Sequence, residues 1–337
     1  MQRGLAPDGD AENEVLTFRV APRRFIEEVS PTLAMKMQLE TITFDKKSEF
    51  QRAQIISTAP FGKTLVLDGK TQSALADEYV YHESLVHPAM LAHPNPKNVF
   101  IGGGGELATA REVLKHSSVE KCVMVDIDEV VVNICKEELP EWHGGCIHDE
   151  RLHLAYDDAK AWLERSEEKF DVVIMDIADP IEAGPGYVLY TQEFYNFVTS
   201  RMNPGGIIVT QSGPGSVMNI HECCTVINNT LRSTFDHVVP YTADVPSFGC
   251  NWAFNMAFNN DSAVAKAATE AGVPPQSFIL TQPVAEVDAD IEKRITGELR
   301  FMDGVAMKGI LGVPKSARKK LAEETRVMTV ANPVFMY

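Results

Sequence analysis

The stretch from Asn98 to Thr210 constrains the fold more than any other part of the chain. Five short apolar runs, Asn98-Val99-Phe100-Ile101, Lys121-Cys122-Val123-Met124-Val125, Leu152-His153-Leu154, Phe170-Asp171-Val172-Val173-Ile174-Met175 and Gly206-Ile207-Ile208-Val209-Thr210, are separated by segments 107–116, 128–138, 158–166 and 191–202 that read as helices. Strands that are apolar along their length suit a sheet buried on both faces, which predicts a mainly parallel α/β sheet. Two further β runs, Val238–Tyr241 and Asn251–Phe258, follow with no long helix between them and predict a terminal antiparallel pair. Upstream, the runs Leu39–Phe44, Ala53–Ser57 and Thr64–Leu67, with turn signals at Asp45-Lys46, Pro60-Phe61-Gly62 and Asp68-Gly69, predict a small antiparallel β unit. Asp77 can cap a helix from about Glu78, with Pro88 and Pro94 disturbing or ending it. Residues 1–30 are polar and of mixed charge, which predicts a flexible arm. The expected organisation is therefore an arm over 1–30, a β-strand domain over 31–92 and the α/β domain over 93–337.

Charge narrows the class of partner. The 31 Lys and Arg stand against 47 Asp and Glu, a net −16, which argues against nucleic acid or an anionic membrane and favours something cationic. The apolar fraction of 45% excludes disorder of the whole chain. No run approaches the ~20 apolar residues of a membrane span, and Met1 to Asp10 lacks the apolar segment of a signal peptide. A cytoplasmic protein is expected. The six cysteines include no C-x-x-C pair, so buried thiols are expected rather than disulfides or zinc. His87, His93, His116, His143, His148 and His153 form no ligand spacing, and no metal site is expected.

In an open parallel sheet, ligands bind beyond the carboxyl ends of the strands. The first run ends in Gly102-Gly103-Gly104-Gly105-Glu106, which is not G-x-G-x-x-G, and Glu106 would repel a pyrophosphate. Asp126 follows about twenty residues on, the spacing of a carboxylate that accepts from ribose hydroxyls. The third run leads to Asp157-Asp158 and the fourth to Asp176-Ile177-Ala178-Asp179-Pro180. Each acid has a plain alternative: Asp128, Asp157 or Asp158 as helix caps, Asp179 as a turn residue before proline. Four successive acidic strand ends would repel one another unless a cation or hydroxyl-rich ligand sits among them. A nucleoside without phosphate and with a cationic centre suggests a sulfonium nucleoside. An acid directly after the glycines would repel the carboxylate of S-adenosylmethionine and attract the bare aminopropyl ammonium of its decarboxylated form.

From about Met37 onward the chain resembles the spermidine synthase family of polyamine aminopropyltransferases. The matching stretches are Leu65-Val66-Leu67-Asp68-Gly69 with Gln72, Asp77-Glu78-Tyr79-Val80-Tyr81-His82-Glu83, Gly103-Gly104-Gly105-Glu106 with Arg111-Glu112-Val113-Leu114, and Asp176 to Ile181. The family has Gly-Gly-Gly-Asp-Gly where this chain has Gly-Gly-Gly-Glu-Leu, and small hydroxyl or thiol residues where it has Ile177-Ala178. These departures, with the segment Glu182 to Tyr187, look like the plant-type thermospermine synthases.

The resemblance implies a Rossmann-like, class I methyltransferase-like sheet and an N-terminal β domain that supports a homodimer or homotetramer. It implies Asp176 as general base and a polyamine site of Gln72, Tyr81, His82, Glu106, Asp176, Asp179, Gln211 and Tyr241. The nucleoside site it implies comprises Gln51, His82, Glu106, Asp126, Asp158, Ala159 and Pro185. Its expected reaction is aminopropyl transfer from decarboxylated S-adenosylmethionine to spermidine, giving thermospermine, with no resident cofactor. Spermine or spermidine synthase activity is the near alternative, and an S-adenosylmethionine-dependent methyltransferase or an inactive polyamine sensor the more distant ones.

Overall fold

The computed structural model describes residues 23–30, 32–182 and 184–336. Five strands, β1 (Arg24–Ser30), β2 (Leu33–Lys47), β3 (Arg52–Thr58), β4 (Gly62–Leu67) and β5 (Lys70–Ala74), form an antiparallel sheet in sequence order. Of the expected flexible arm, residues 1–22 lie outside the described residues. The rest corrects that expectation, because Arg24 to Ser30 pair with β2 as an edge strand. In β1 the buried side chain is an acid, Glu27, so no apolar alternation marks it.

Helix α1 (Glu78–Ala92) follows, and with it the second sheet begins. The expected boundary near residue 92 thus differs from the packing, since α1 lies against α2 (Ala108–Leu114) and the large sheet. Proline is tolerated inside α1 at Pro88, and the helix ends before Pro94. The chain then alternates: β6 (Asn98–Gly103), α2, β7 (Lys121–Asp126), α3 (Glu129–Glu138), α4 (Pro140–His143), β8 (Leu152–Tyr156), α5 (Ala159–Arg165), β9 (Phe170–Asp176), α6 (Gln192–Thr199), β10 (Met202–Pro214) and α7 (Cys224–Arg232). A hairpin of β11 (His237–Val245) and β12 (Cys250–Phe258) completes the sheet, whose order is β11-β12-β10-β9-β6-β7-β8. The bonds between β10, β9, β6, β7 and β8 are parallel, and those to β12 and β11 antiparallel.

Alternation along each strand sorts its side chains onto two cores. Val99, Ile101, Met124, Val172 and Ile174 pack beneath α1 and α2. Phe100, Val123, Val173, Met175 and Ile208 face the opposite layer with Phe194 of α6 and Ile227 of α7. A third cluster, including Ile55, Leu65, Val131, Ile134 and Trp142, joins the small sheet to α3 and α4. The Trp142 indole donates to Ser73 Oγ (2.8 Å) inside that joint. This joint holds the small sheet over the carboxyl edge of the large one. Among the described residues no helix is long and apolar enough to cross a membrane. All six cysteines are free, four of them buried.

Candidate active site

The strand order reverses between β6 and β9, since β6 connects onward to β7 on one side while β9 lies on the other. Such a switch point leaves a crevice beyond the strand ends. Here the backbones must approach closely: Gly103 pairs with Asp176, has φ +82°, and a Cβ on it would clash with the Asp176 carbonyl. Only glycine fits there. Gly104 N–H donates to the same carbonyl (2.8 Å), which fixes Asp176 at the mouth of the crevice. Leu107, two residues beyond the last glycine, also adopts a left-handed conformation (φ +73°) although it is not glycine and is fully buried.

A cavity of about 430 Å³ occupies this crevice and is walled by both sheets. It brings together Gln51, Gln72, Tyr81, Glu106, Asp126, Asp158, Ala159, Asp176, Asp179 and Gln211 of the expected site. At the β9 end, the Tyr81 hydroxyl donates to Asp176 Oδ1 (2.6 Å) and the Thr109 hydroxyl to Asp176 Oδ2. Burial raises the Asp176 carboxyl well above the usual range, and the neighbouring Glu106 charge raises it further, while His82 opposes both. Burial also pushes Asp179 up to about 6, against the hydrogen bond from Gln211. Gln211 is locked: its Oε1 accepts from the Trp252 indole (3.0 Å) and the Gly213 N–H (2.9 Å), and its Nε2 reaches Asp179 Oδ1 (3.0 Å), the Ile177 carbonyl (2.7 Å) and the Tyr190 hydroxyl (2.6 Å). Gln211 therefore holds the 177–179 turn in shape as well as lining the cavity.

At the β7 end, burial brings Asp126 up to about 7, with the Asp128 N–H opposing and Glu106 reinforcing the shift. Its Oδ1 accepts from that N–H (2.8 Å). Gln51 reaches in from the small sheet and donates to Asp128 Oδ2 (3.1 Å). Asp128 caps α3 through the Val131 N–H (3.2 Å), and Asp158 caps α5 through the Ala161 N–H (2.7 Å) while also lining the cavity. The plain reading of both as caps and the functional reading of Asp158 are thus compatible.

Three expectations need revision or fall outside view. Tyr241 does not line the cavity: it is fully buried beneath α1, its hydroxyl donates to the Ser84 carbonyl (3.0 Å), and its ring stacks on Phe254. Its place in the alternation of β11 turns it to the α1 face, which motif matching cannot register. His82 is also fully buried and lies behind Glu106 rather than on the cavity surface, with Nε2 3.1 Å from Glu106 Oε1 and Nδ1 2.8 Å from Glu78 Oε2. Pro185 opens a short 3₁₀ turn, and its side chain lies outside what is described. His82, Glu106 and Asp176 each present an atom within 4.8 Å of the others. Burial disfavours a charged His82, but the carboxylates of Glu106 and Glu78 outweigh it and raise the imidazole to about 10. Both ring nitrogens of His82 face carboxylates, so the trio forms a buried cluster of ionisable groups.

Sequence reasoning missed four wall or support residues: Glu27 of β1, Thr109, Trp252 and Met336. Glu27 accepts from the Thr71 N–H (3.1 Å) and hydroxyl (2.5 Å). Met336 lines the cavity from the far end of the chain, with its N–H donating to the Pro180 carbonyl (2.8 Å). Trp252 was visible only as part of a β run, and nothing local marks Met336.

A mainly parallel α/β sheet with an acid-lined cavity at its switch point defines a Rossmann-like fold. Residues 78–267 match the spermine/spermidine synthase domain, and residues 24–74 match the spermidine synthase tetramerisation domain. The chain is similar to a polyamine aminopropyltransferase of Aeropyrum pernix, 43% identical over 93% of this chain and 95% of that one. It is similar to the thermospermine synthase ACAULIS5 of Arabidopsis thaliana, 40% identical over 92% and 86%. The fold is that of spermidine synthases: one in complex with the transition state analogue AdoDATO superposes with a TM-score of 0.76 at 24% identity over 92% of this chain and 99% of that one. Another, from Thermotoga maritima, gives 0.74 at 23% over 92% and 98%. The chain belongs to the spermidine/spermine synthase family and is a polyamine aminopropyltransferase.

Proposed function

We propose that this aminopropyltransferase uses spermidine as acceptor and decarboxylated S-adenosylmethionine as donor, giving thermospermine and methylthioadenosine. The observation that carries the reading is the pair of half-buried acids at the end of β9, Asp176 and Asp179, facing a cavity whose β7 end is suited to a nucleoside. The acceptor's attacking nitrogen, with a solution pKa near ~10.4 by analogy with lysine, arrives protonated. Asp176 takes that proton, while Asp179 holds the polyamine beside it. The freed nitrogen attacks the aminopropyl carbon in line with the sulfur: a C–N bond forms, the C–S bond breaks, and its electron pair stays on sulfur as a neutral thioether. The sulfonium is already an activated leaving group, so the step asks for positioning and desolvation rather than a metal or cofactor. Glu106 recognises the aminopropyl ammonium. Asp126, Asp158, Ala159 and Gln51 hold the nucleoside, with Pro185 near the adenine.

Spermidine rather than putrescine is favoured by Ile177-Ala178 and Gly-Gly-Gly-Glu-Leu, departures that resemble plant-type thermospermine synthases, and by 40% identity to ACAULIS5. Glu27 adds a further acid to the wall, available to the additional ammonium of a triamine. Assembly into a homo-oligomer through the small sheet accounts for the exposed Ile26, Leu33 and Ile42. Six free thiols suit the reducing cytoplasm. Incubation of the purified protein with the donor and each of putrescine and spermidine, followed by chromatographic separation of thermospermine from spermine, tests the reading. Thermospermine is expected, and putrescine as the sole acceptor would overturn it.

A further inference from the structure

Glu106 is the first member of a chain of alternating charges that leaves the cavity wall and runs between α1 and α2. His82 bridges Glu106 and Glu78 at 3.1 and 2.8 Å. Arg111 donates to both Glu78 oxygens (3.3 and 2.9 Å) and, through Nε, to Glu112 Oε1 (2.7 Å), which Lys115 also reaches (2.9 Å). Side-chain exposure is 0% at His82 and 5% at Glu78, rising to 20% only at Lys115. Neither Glu78 nor Arg111 lines the cavity.

Proton counting makes this chain more than packing. A neutral imidazole carries one N–H, yet both ring nitrogens of His82 lie within 3.1 Å of a carboxylate oxygen. With both carboxylates ionised, both contacts are favourable only if the ring carries two protons. Two carboxylates as close as Glu106 and Asp176 resist ionising together unless a cation sits between them. The groups facing His82 are Glu78 and Tyr81 from α1, Glu106 from the loop after β6 and Asp176 from β9, with Arg111 of α2 behind Glu78. His82 is the cation of that set nearest the cavity.

We propose that Glu78 and Arg111 are positioning residues for aminopropyl transfer: they hold the His82 imidazolium, which allows Glu106 and Asp176 to be ionised together in a buried site. Glu106 can then accept from the donor's ammonium while Asp176 is free to take the acceptor's proton. Glu106 Oε2 makes no hydrogen bond among the described residues and is available for that contact. The inference rests on the assignment of Glu106 and Asp176 under Proposed function.

Glu78→Gln keeps the shape of the side chain and removes its charge. The acid limb of the pH profile of kcat/KM for the donor, at saturating spermidine, should move upward by about one to two units, a roughly ten- to hundredfold loss near the original limb that recovers above pH 9. Arg111→Lys retains a cation without the forked contact and should move the limb the same way by less. A loss equal at every pH, or an unmoved limb in both variants, overturns the proposal; if Glu78→Gln does not fold, Arg111→Lys alone decides. Glu106→Gln separates this from the reading it rests on, because an unchanged KM for the donor would remove Glu106 as the ammonium's partner whatever the other two variants do.

Discussion

Removing one oxygen, by Tyr81→Phe, tests the general-base assignment. The Tyr81 hydroxyl donates to Asp176 Oδ1 at 2.6 Å in a part-buried setting. The ring contributes separately, packing against His82, Phe248 and Phe254 at 5.1–5.7 Å between centroids, and phenylalanine preserves those contacts. A hydrogen bond to a charged group contributes about 1.5–3 kcal/mol, and about 1.36 kcal/mol corresponds to one pKa unit, so its loss raises the Asp176 carboxyl by roughly one to two units. The starting point is about 6. Asp176 acts as base only when ionised, so activity falls as pH drops through its pKa, and raising that pKa moves the acid limb toward alkaline pH. At pH 6 the ionised fraction, and with it kcat/KM, should fall about five- to fiftyfold, while at pH 9 the variant should come within about twofold of the parent. Asp179 titrates nearby but does not touch Tyr81, so its share of the profile should stay in place. Methylthioadenosine release, followed chromatographically from pH 5 to 9, supplies the profile. A Tyr81→Phe curve that superposes on the parent after scaling refutes the assignment.

Asp176→Asn should lower turnover by about 10²–10⁴ while methylthioadenosine binding by calorimetry changes little, because Asp126 and Asp158 lie at the other end of the cavity; near-normal turnover would remove Asp176 as base. Leu107→Gly sets two effects against each other. Relief of the left-handed conformation gains about 1–2 kcal/mol, while loss of a fully buried leucine costs about 2–5 kcal/mol. Net destabilisation of about 1–3 kcal/mol should appear in denaturant unfolding, and a gain in stability would show that the strain dominates. Long-range steering of spermidine by the net charge of −16 predicts that kcat/KM for the acceptor falls as salt rises, with kcat constant; a salt-independent value would assign attraction to the cavity acids alone.

The parts of the molecule legible in the sequence are those where one rule governs. β6, β7, β9 and β10 are apolar because both faces are covered, and the acids at their ends stand out because nothing in a core explains them. β1 escaped because its buried residue is Glu27, hydrogen-bonded by Thr71 of β5, which lies far away in sequence. Tyr241 and His82 match a family motif by position, but whether a side chain reaches the cavity or packs behind it depends on which face its element presents. The left-handed Leu107 was equally hidden: a glycine there would have announced the turn, and leucine conceals it. Gln211 shows the opposite limit, since its lining role was legible but its grip on the 177–179 turn depends on Trp252, a strand away.

The wall of the cavity is drawn from both ends of the chain: Glu27 near the start, Met336 near the finish. This sets an order in time. A ribosome releases Glu27 first, and the small sheet can form early, but the cavity stays unfinished until Met336 emerges and its N–H reaches Pro180. A chain halted even a few residues short of Met336 can keep every acid of the site and still lack part of the enclosure in which those acids work.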